Sequence, residues 1–331
     1  MALKPQNKRH AAQIKAGIGG RATGHGFEDD LAKRLKQIRT PFRPQLPPQS
    51  GCIFKGNAAK LLLSFILAKE KIEEVTGVDA VGLGKLATSE AGDEALEVEG
   101  AHVRRSKSDV VLTVQAGRKR LTLGVSVKLC NNNAQLFLTT ARKFCNQLRK
   151  LGIKVSAKAQ KGLQCFCGDE GFRPIDLPSR SEGRKVNRER WFWEEMGQDA
   201  QDKWAAIFKG NQAAITRFLL CEAYDDDPFR PKYLLHQVAK RVSGKQEEVA
   251  LFTMTDLIRL SRKHASFHTR PYSVRKGNHK DPAGVRHLAP RFGIVQFQRF
   301  GNVQNATELQ FNLKARYYRK PPFSPLKKPA S

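Results

Sequence analysis

Ser108-Asp109-Val110-Val111-Leu112-Thr113-Val114 and Leu121-Thr122-Leu123-Gly124-Val125-Ser126-Val127-Lys128 are the two runs that decide the fold. Both are rich in apolar and β-branched residues, and the residues between them, 115–120, include Gly117. Runs of this kind joined by a short Gly-containing loop predict an antiparallel hairpin. Antiparallel pairing brings Asp109, at the start of the first strand, to the same sheet edge as Lys128, at the end of the second. Side chains alternate along a strand, so Ser126 and Lys128 share one face. The carbonyl of Val127, between them, adds a further oxygen.

Phosphodiester hydrolysis at neutral pH asks for such a set. A hard divalent cation holds a phosphate oxygen and lowers the pKa of the attacking water. Mg2+ prefers oxygen ligands and keeps several waters, so one or two carboxylates suffice. A positive group beside the water orients or deprotonates it and offsets the developing charge. The bulk charge points to the same kind of substrate. Lys and Arg number 59 against 31 Asp and Glu, a formal net charge of +28. That excess favours a polyanion, because neutralising phosphates releases condensed counterions.

Outward from the hairpin, Phe27, Leu31, Leu35 and Ile38 recur at helical spacing. They predict a helix starting near Gly26 with Glu28, Asp29 and Asp30 in its first turn, where the helix dipole favours acids. Residues 1–25 read as a flexible basic arm with a Gly-rich stretch, and a second helix is predicted from Asn57 to Val75. Residues 77–92 read as a loop or weak element, followed by the acids Asp93, Glu94, Glu97 and Glu99. After Lys128 come the polar loop Asn131-Asn132-Asn133 and a predicted helix from Gln135 to Lys150. Residues 162–168 read as a short strand, with Cys165 and Cys167 alternating around Phe166. The Pro-, Ser- and charge-rich segment 174–189 is the best candidate boundary. Helices are expected between Arg190 and Lys240, then strands at 249–252, 293–299 and 309–315, the last two forming a hairpin. The six cysteines show no C-x2-C zinc spacing and read as reduced thiols of a cytoplasmic protein. No apolar run approaches the ~18 residues of a membrane span, so no membrane association is expected.

Lys107-Ser108-Asp109-Val110-Val111 with Gly124-Val125-Ser126-Val127-Lys128 resembles the PD-(D/E)xK nuclease superfamily, and looks most like its type II restriction endonucleases. Ser108 stands for the Pro of that pattern and Ser126 for its second acid, a D…SxK variant. The resemblance implies an α/β fold, a restriction-endonuclease-like mixed β-sheet core flanked by helices, with a C-terminal helical and β-hairpin region. It implies that Asp109 binds Mg2+, that the Val127 carbonyl assists, and that Lys128 activates the water. Ser126 would hydrogen-bond where the missing acid would stand. Glu28, on a helix similar to the first core helix of such enzymes, is the candidate for the second carboxylate, ahead of Glu97 and Glu99.

The activity so implied is Mg2+-dependent, sequence-specific cleavage of double-stranded DNA within a restriction-modification system. A homodimer would cut both strands, and a cognate DNA methyltransferase would be the genetic partner. The expected organisation is a basic arm (1–25), a catalytic core (26–173) and a helical and β region for DNA recognition and dimerisation (174–331) that either stands apart from the core or continues it. Candidate DNA contacts are His25, Asn131, Asn132, Gln135, His268, Arg270, Arg275 and Lys276. Two alternatives stand beside this reading. One is a nucleic-acid-binding protein without catalysis. The other is a repair or junction nuclease of the same fold that reads DNA structure.

Overall fold

The computed structural model describes residues 8–45, 49–87, 95–130, 133–182, 189–237, 247–273, 283–299 and 307–314. In chain order its elements are α1 (Lys8–Lys36), β1 (Ile53–Gly56), α2 (Ala58–Glu70), β2 (Gly77–Gly82), β3 (Leu96–Val98), β4 (Ala101–Val103), β5 (Val110–Ala116) and β6 (Lys119–Leu129). There follow β7 (Asn133–Thr139), α3 (Ala141–Lys150), α4 (Ala157–Cys167), the short α5 (Pro178–Ser181), α6 (Gln198–Arg217) and β8 (Pro231–Gln237). The last are β9 (Glu247–Thr253), α7 (Met254–Arg262), β10 (His268–Tyr272), β11 (His287–Phe292), β12 (Val295–Arg299) and β13 (Leu309–Lys314). The fold is mixed α/β.

The elements divide into two compact units that interleave along the chain instead of meeting once in the segment 174–189. One, here the hairpin unit, holds Ala22–Ala134 and Leu220–Leu257. Its six-stranded sheet runs β1-β9-β8-β6-β5-β2. The predicted hairpin is its centre: β5 and β6 pair antiparallel, with Val110 opposite Val125. β8 lies parallel to β6, and β2 antiparallel to β5, so the sheet is mixed. Val110, Leu112, Val114, Val125 and Val127 face a core with Leu31 and Leu35 of α1 and Leu62, Leu63, Phe65 and Ile66 of α2. Val111 points to the other face, where Leu83, Val98 and Val103 pack on it beneath the β3–β4 ribbon. This alternation is why Asp109, Ser126 and Lys128 share the face opposite the helices. Asn57 caps α2 through Lys60 N–H at 3.1 Å, and Lys71, in the left-handed region at φ 56°, ends it.

The aromatic unit holds Gln135–Leu219 and Ile258–Lys314, with the chain up to Arg21. Its five-stranded sheet runs β10-β11-β12-β13-β7. β12 and β13 form the predicted late hairpin, with Phe297 opposite Phe311. Those rings pack with Phe144 of α3, Phe166 of α4 and Phe208 of α6. Trp191, Trp193 and Trp204 are all buried, as core residues.

Several elements differ from expectation. The helix carrying Glu28 begins at Lys8, not near Gly26, so the glycines of residues 17–26 lie inside it. Each mid-helix glycine costs about 1 kcal/mol, but no proline interrupts residues 8–36, so the helical hydrogen bonds continue. Residues 77–82 form the ordered edge strand β2 rather than a weak element. The predicted helix from Gln135 divides into strand β7 and helix α3, and Thr140 caps the helix. Residues 162–168 belong to helix α4 rather than to a strand. Ser156 caps α4 and Gly168, at φ 74°, closes it.

Candidate active site

Asp109 immediately precedes β5 and is held by its own backbone. Its N–H donates to Val125 O at 2.9 Å, and its carbonyl accepts from Leu83 N–H at 2.8 Å. Its side chain turns back to β6. Three donors converge on Oδ2: Ser126 Oγ at 3.0 Å, Val127 N–H at 2.5 Å and Lys128 Nζ at 2.9 Å. Among the described residues no donor reaches Oδ1. The N–H and C=O of one strand residue point to the same edge, so the Val127 carbonyl also faces the Asp109 side. The Lys128–Asp109 pair keeps side-chain exposures of 18% and 22%, so solvent reaches it.

Gly124 shows why this motif contains a glycine. A Cβ there would lie 2.2 Å from both Phe229 O and Ser108 Oγ. Ser108 Oγ donates to Phe229 O at 2.5 Å, fastening the approach to Asp109 onto the segment that leads into β8.

Glu28 approaches from α1 and is 8% exposed. His25, one turn earlier, places Nδ1 3.3 Å from Glu28 Oε2. The chain leaving β2 makes room for both, since a Cβ on Gly84 would lie 2.3 Å from Glu28 Oε2 and 2.8 Å from His25 Nδ1. Burial pushes the Glu28 carboxyl up to about 8; the Asp109 charge adds to this, and Lys128 opposes it. Glu28 is therefore within electrostatic reach of both hairpin residues, and burial favours its protonated form. Lys107 belongs to the same surroundings: burial, reinforced by Lys128, draws its ammonium down to about 8 against the pull of Asp109.

The hairpin prediction did not reach Asp227 and Tyr224. Asp227 is buried and accepts from Ser106 Oγ at 3.0 Å, Lys107 N–H at 2.7 Å and Phe229 N–H at 3.0 Å. It anchors the segment before Asp109. Burial raises the Tyr224 phenol, with Asp227 and Asp109 adding to the rise and Arg105 opposing it. The acidic run Asp225-Asp226-Asp227 in a basic chain was the available signal, but it did not say which of the three turns inward.

Most of the other predicted contacts fall elsewhere. His25 sits on Glu28. Glu99 is taken up by Arg120, at 2.7 and 2.6 Å, and by Thr113, and Glu97 stands opposite His102 in the β3–β4 ribbon. Gln135, His268 and Arg270 belong to the aromatic unit. Gln135 is in mid-strand on β7, not at a helix start, and accepts from Gln310 at 3.1 Å. His268 pairs across from Arg291, and Arg270 from Ala289. Asn131, Asn132, Arg275 and Lys276 lie outside the described residues. Among the described residues no group of three or more His, Cys, Asp or Glu is placed to hold a metal ion, and no helix is long and apolar enough to cross a membrane. All six cysteines are free thiols.

No family model matches the chain, and no curated protein matches it.

Proposed function

We propose that the protein is a Mg2+-dependent endonuclease that hydrolyses phosphodiester bonds of double-stranded DNA at a specific sequence. It would be a type II restriction enzyme built on the restriction-endonuclease-like fold. The observation that carries this reading is the convergence of Ser126, Val127 and Lys128 on Asp109 Oδ2, with Glu28 electrostatically tied to the same pair.

The donor set suits a hard cation. Asp109 Oδ1, the Glu28 carboxylate and the Val127 carbonyl are all oxygens, and Mg2+ needs only one or two carboxylates beside its waters. Burial and the Asp109 charge keep a proton on Glu28, and a bound cation would take its place. When bound, the cation supplies Lewis-acid polarisation of a phosphate oxygen and lowers the pKa of a coordinated water. The protein's own groups do the rest. Ser126 and the Val127 N–H fix the Asp109 carboxylate by holding Oδ2. Lys128, already donating to that oxygen, positions the attacking water and offsets charge on the phosphate. His25 orients Glu28. A homodimer would supply the second active site for the second strand.

The test is incubation of purified protein with phage DNA in Mg2+, beside Asp109→Ala and Lys128→Ala. Discrete fragments from wild type and none from either variant are expected. Cleavage untouched by both substitutions would reject this centre. A second reading, nucleic-acid binding without a chemical step, draws on the lack of a three-ligand cluster among the described residues. It predicts DNA binding with no Mg2+-dependent strand loss in the same assay.

A further inference from the structure

Between Asp109 and Asp169 the sequence contains no acidic residue at all. The later part of this stretch builds β7, α3 and α4 of the aromatic unit. α3 buries Ala141, Phe144, Cys145 and Leu148 and exposes Arg142, Lys143, Asn146, Arg149 and Lys150. Lys154, in the connection to α4, and Lys158 and Lys161, on α4, are exposed as well.

Some cations elsewhere are neutralised by acids. In the hairpin unit Lys36, Arg43, Lys55 and Lys232 each sit on an acid: Asp79, Glu74, Glu248 and Glu70. On α6, Asp199 takes Lys203 and also reaches Lys158. Arg142, Lys143 and Lys154 are in no ion pair among the described residues. Arg142 acts only at longer range on Asp169, and Lys143 on Glu308. Arg149 is fixed by structure instead, donating to Asn146 Oδ1, Val155 O and Gln160 Oε1. A one-sign face repels itself, and that cost is relieved by an opposite field.

We propose that the exposed face of α3, continued by Lys154, is a docking surface for the phosphate backbone of duplex DNA. The choice of DNA as occupant rests on the function proposed above. The contact itself is independent of sequence and of the chemical step, because cations on phosphates position a protein without reading bases. Arg142, Lys143 and Lys154 are the three groups assigned to it. Arg149 serves the α3–α4 junction.

The test is fluorescence anisotropy of a short labelled duplex in EDTA, with affinity followed against salt. Three proteins are compared. They are wild type, the variant Arg142→Gln/Lys143→Gln/Lys154→Gln, and a control of equal net charge, Lys36→Gln/Arg43→Gln/Lys55→Gln. Removing one cation from a phosphate lowers the slope of log K on log salt by about 0.9. The α3 variant should therefore lose roughly 2 to 3 units of slope, and the control less than about 1. Circular dichroism checks that all three are folded. Equal losses in both variants, no loss in either, or no binding by wild type would overturn the proposal. So would a difference between the variants seen only when the same three proteins are co-sedimented with phosphatidylserine vesicles. Binding with the expected slopes but no cleavage in Mg2+ would leave this surface standing and remove the nuclease reading.

Discussion

One carboxylate oxygen organises the site. Asp109 Oδ2 accepts a hydroxyl, a backbone N–H and an ammonium from three consecutive residues of β6. Replacing Lys128 by Ala should reduce cleavage by ~10²–10⁴-fold, the usual worth of a positioned acid–base group, with Mg2+ affinity little changed; single-turnover rates across a Mg2+ titration check both. Glu28 makes a pH prediction of definite sign. Its carboxyl is raised from 4.5 to about 8 without a cation, so the folded, metal-free protein holds a proton there that the unfolded chain gives up earlier. That contribution to stability is complete below pH 4.5 and is lost as pH rises through about 8. Wild type minus Glu28→Gln, followed by denaturant unfolding, should fall across this window by on the order of 5 kcal/mol. Mg2+ affinity should move the opposite way, rising up to about pH 8 as the proton leaves. A pH-independent difference between the two proteins, by calorimetric Mg2+ titration and by unfolding, would separate Glu28 from the metal.

Elements carry the site through close approaches that only glycine permits. Gly124→Ala puts a Cβ against Phe229 O and Ser108 Oγ. It should cost roughly 1–3 kcal/mol and lower activity more than its loss of stability explains; urea unfolding beside cleavage rates will tell. The hairpin was legible because two β-branched runs with a Gly-containing turn leave little alternative, and Asp109, Ser126 and Lys128 followed from strand alternation. The neighbouring elements were less legible. Leu136, Phe137 and Leu138 are an apolar run that suits helix or strand, and here it becomes β7 before Thr140 starts α3. Cys165-Phe166-Cys167 suited a strand by alternation, yet all three are buried on α4, packed from more than one side. Periodicity cannot see that. Asp227 and Gly84 act through partners distant in sequence, so only the folded chain identifies them.

At the scale of the molecule, a net charge of +28 predicts DNA binding that weakens steeply with salt. A log–log slope near zero by anisotropy would contradict it. If two copies cut together, supercoiled plasmid should pass to linear form without a long-lived nicked intermediate, and sedimentation should give a dimer. The most direct measurement of the central claim is the rate at which supercoiled plasmid loses its supercoils, with wild type and with Asp109→Asn, in Mg2+ and in EDTA. Strand scission by wild type in Mg2+ alone, and at least ~10³-fold slower scission by the near-isosteric Asn variant, is the predicted result. Equal rates for the two proteins, or wild-type scission that persists in EDTA, would contradict it.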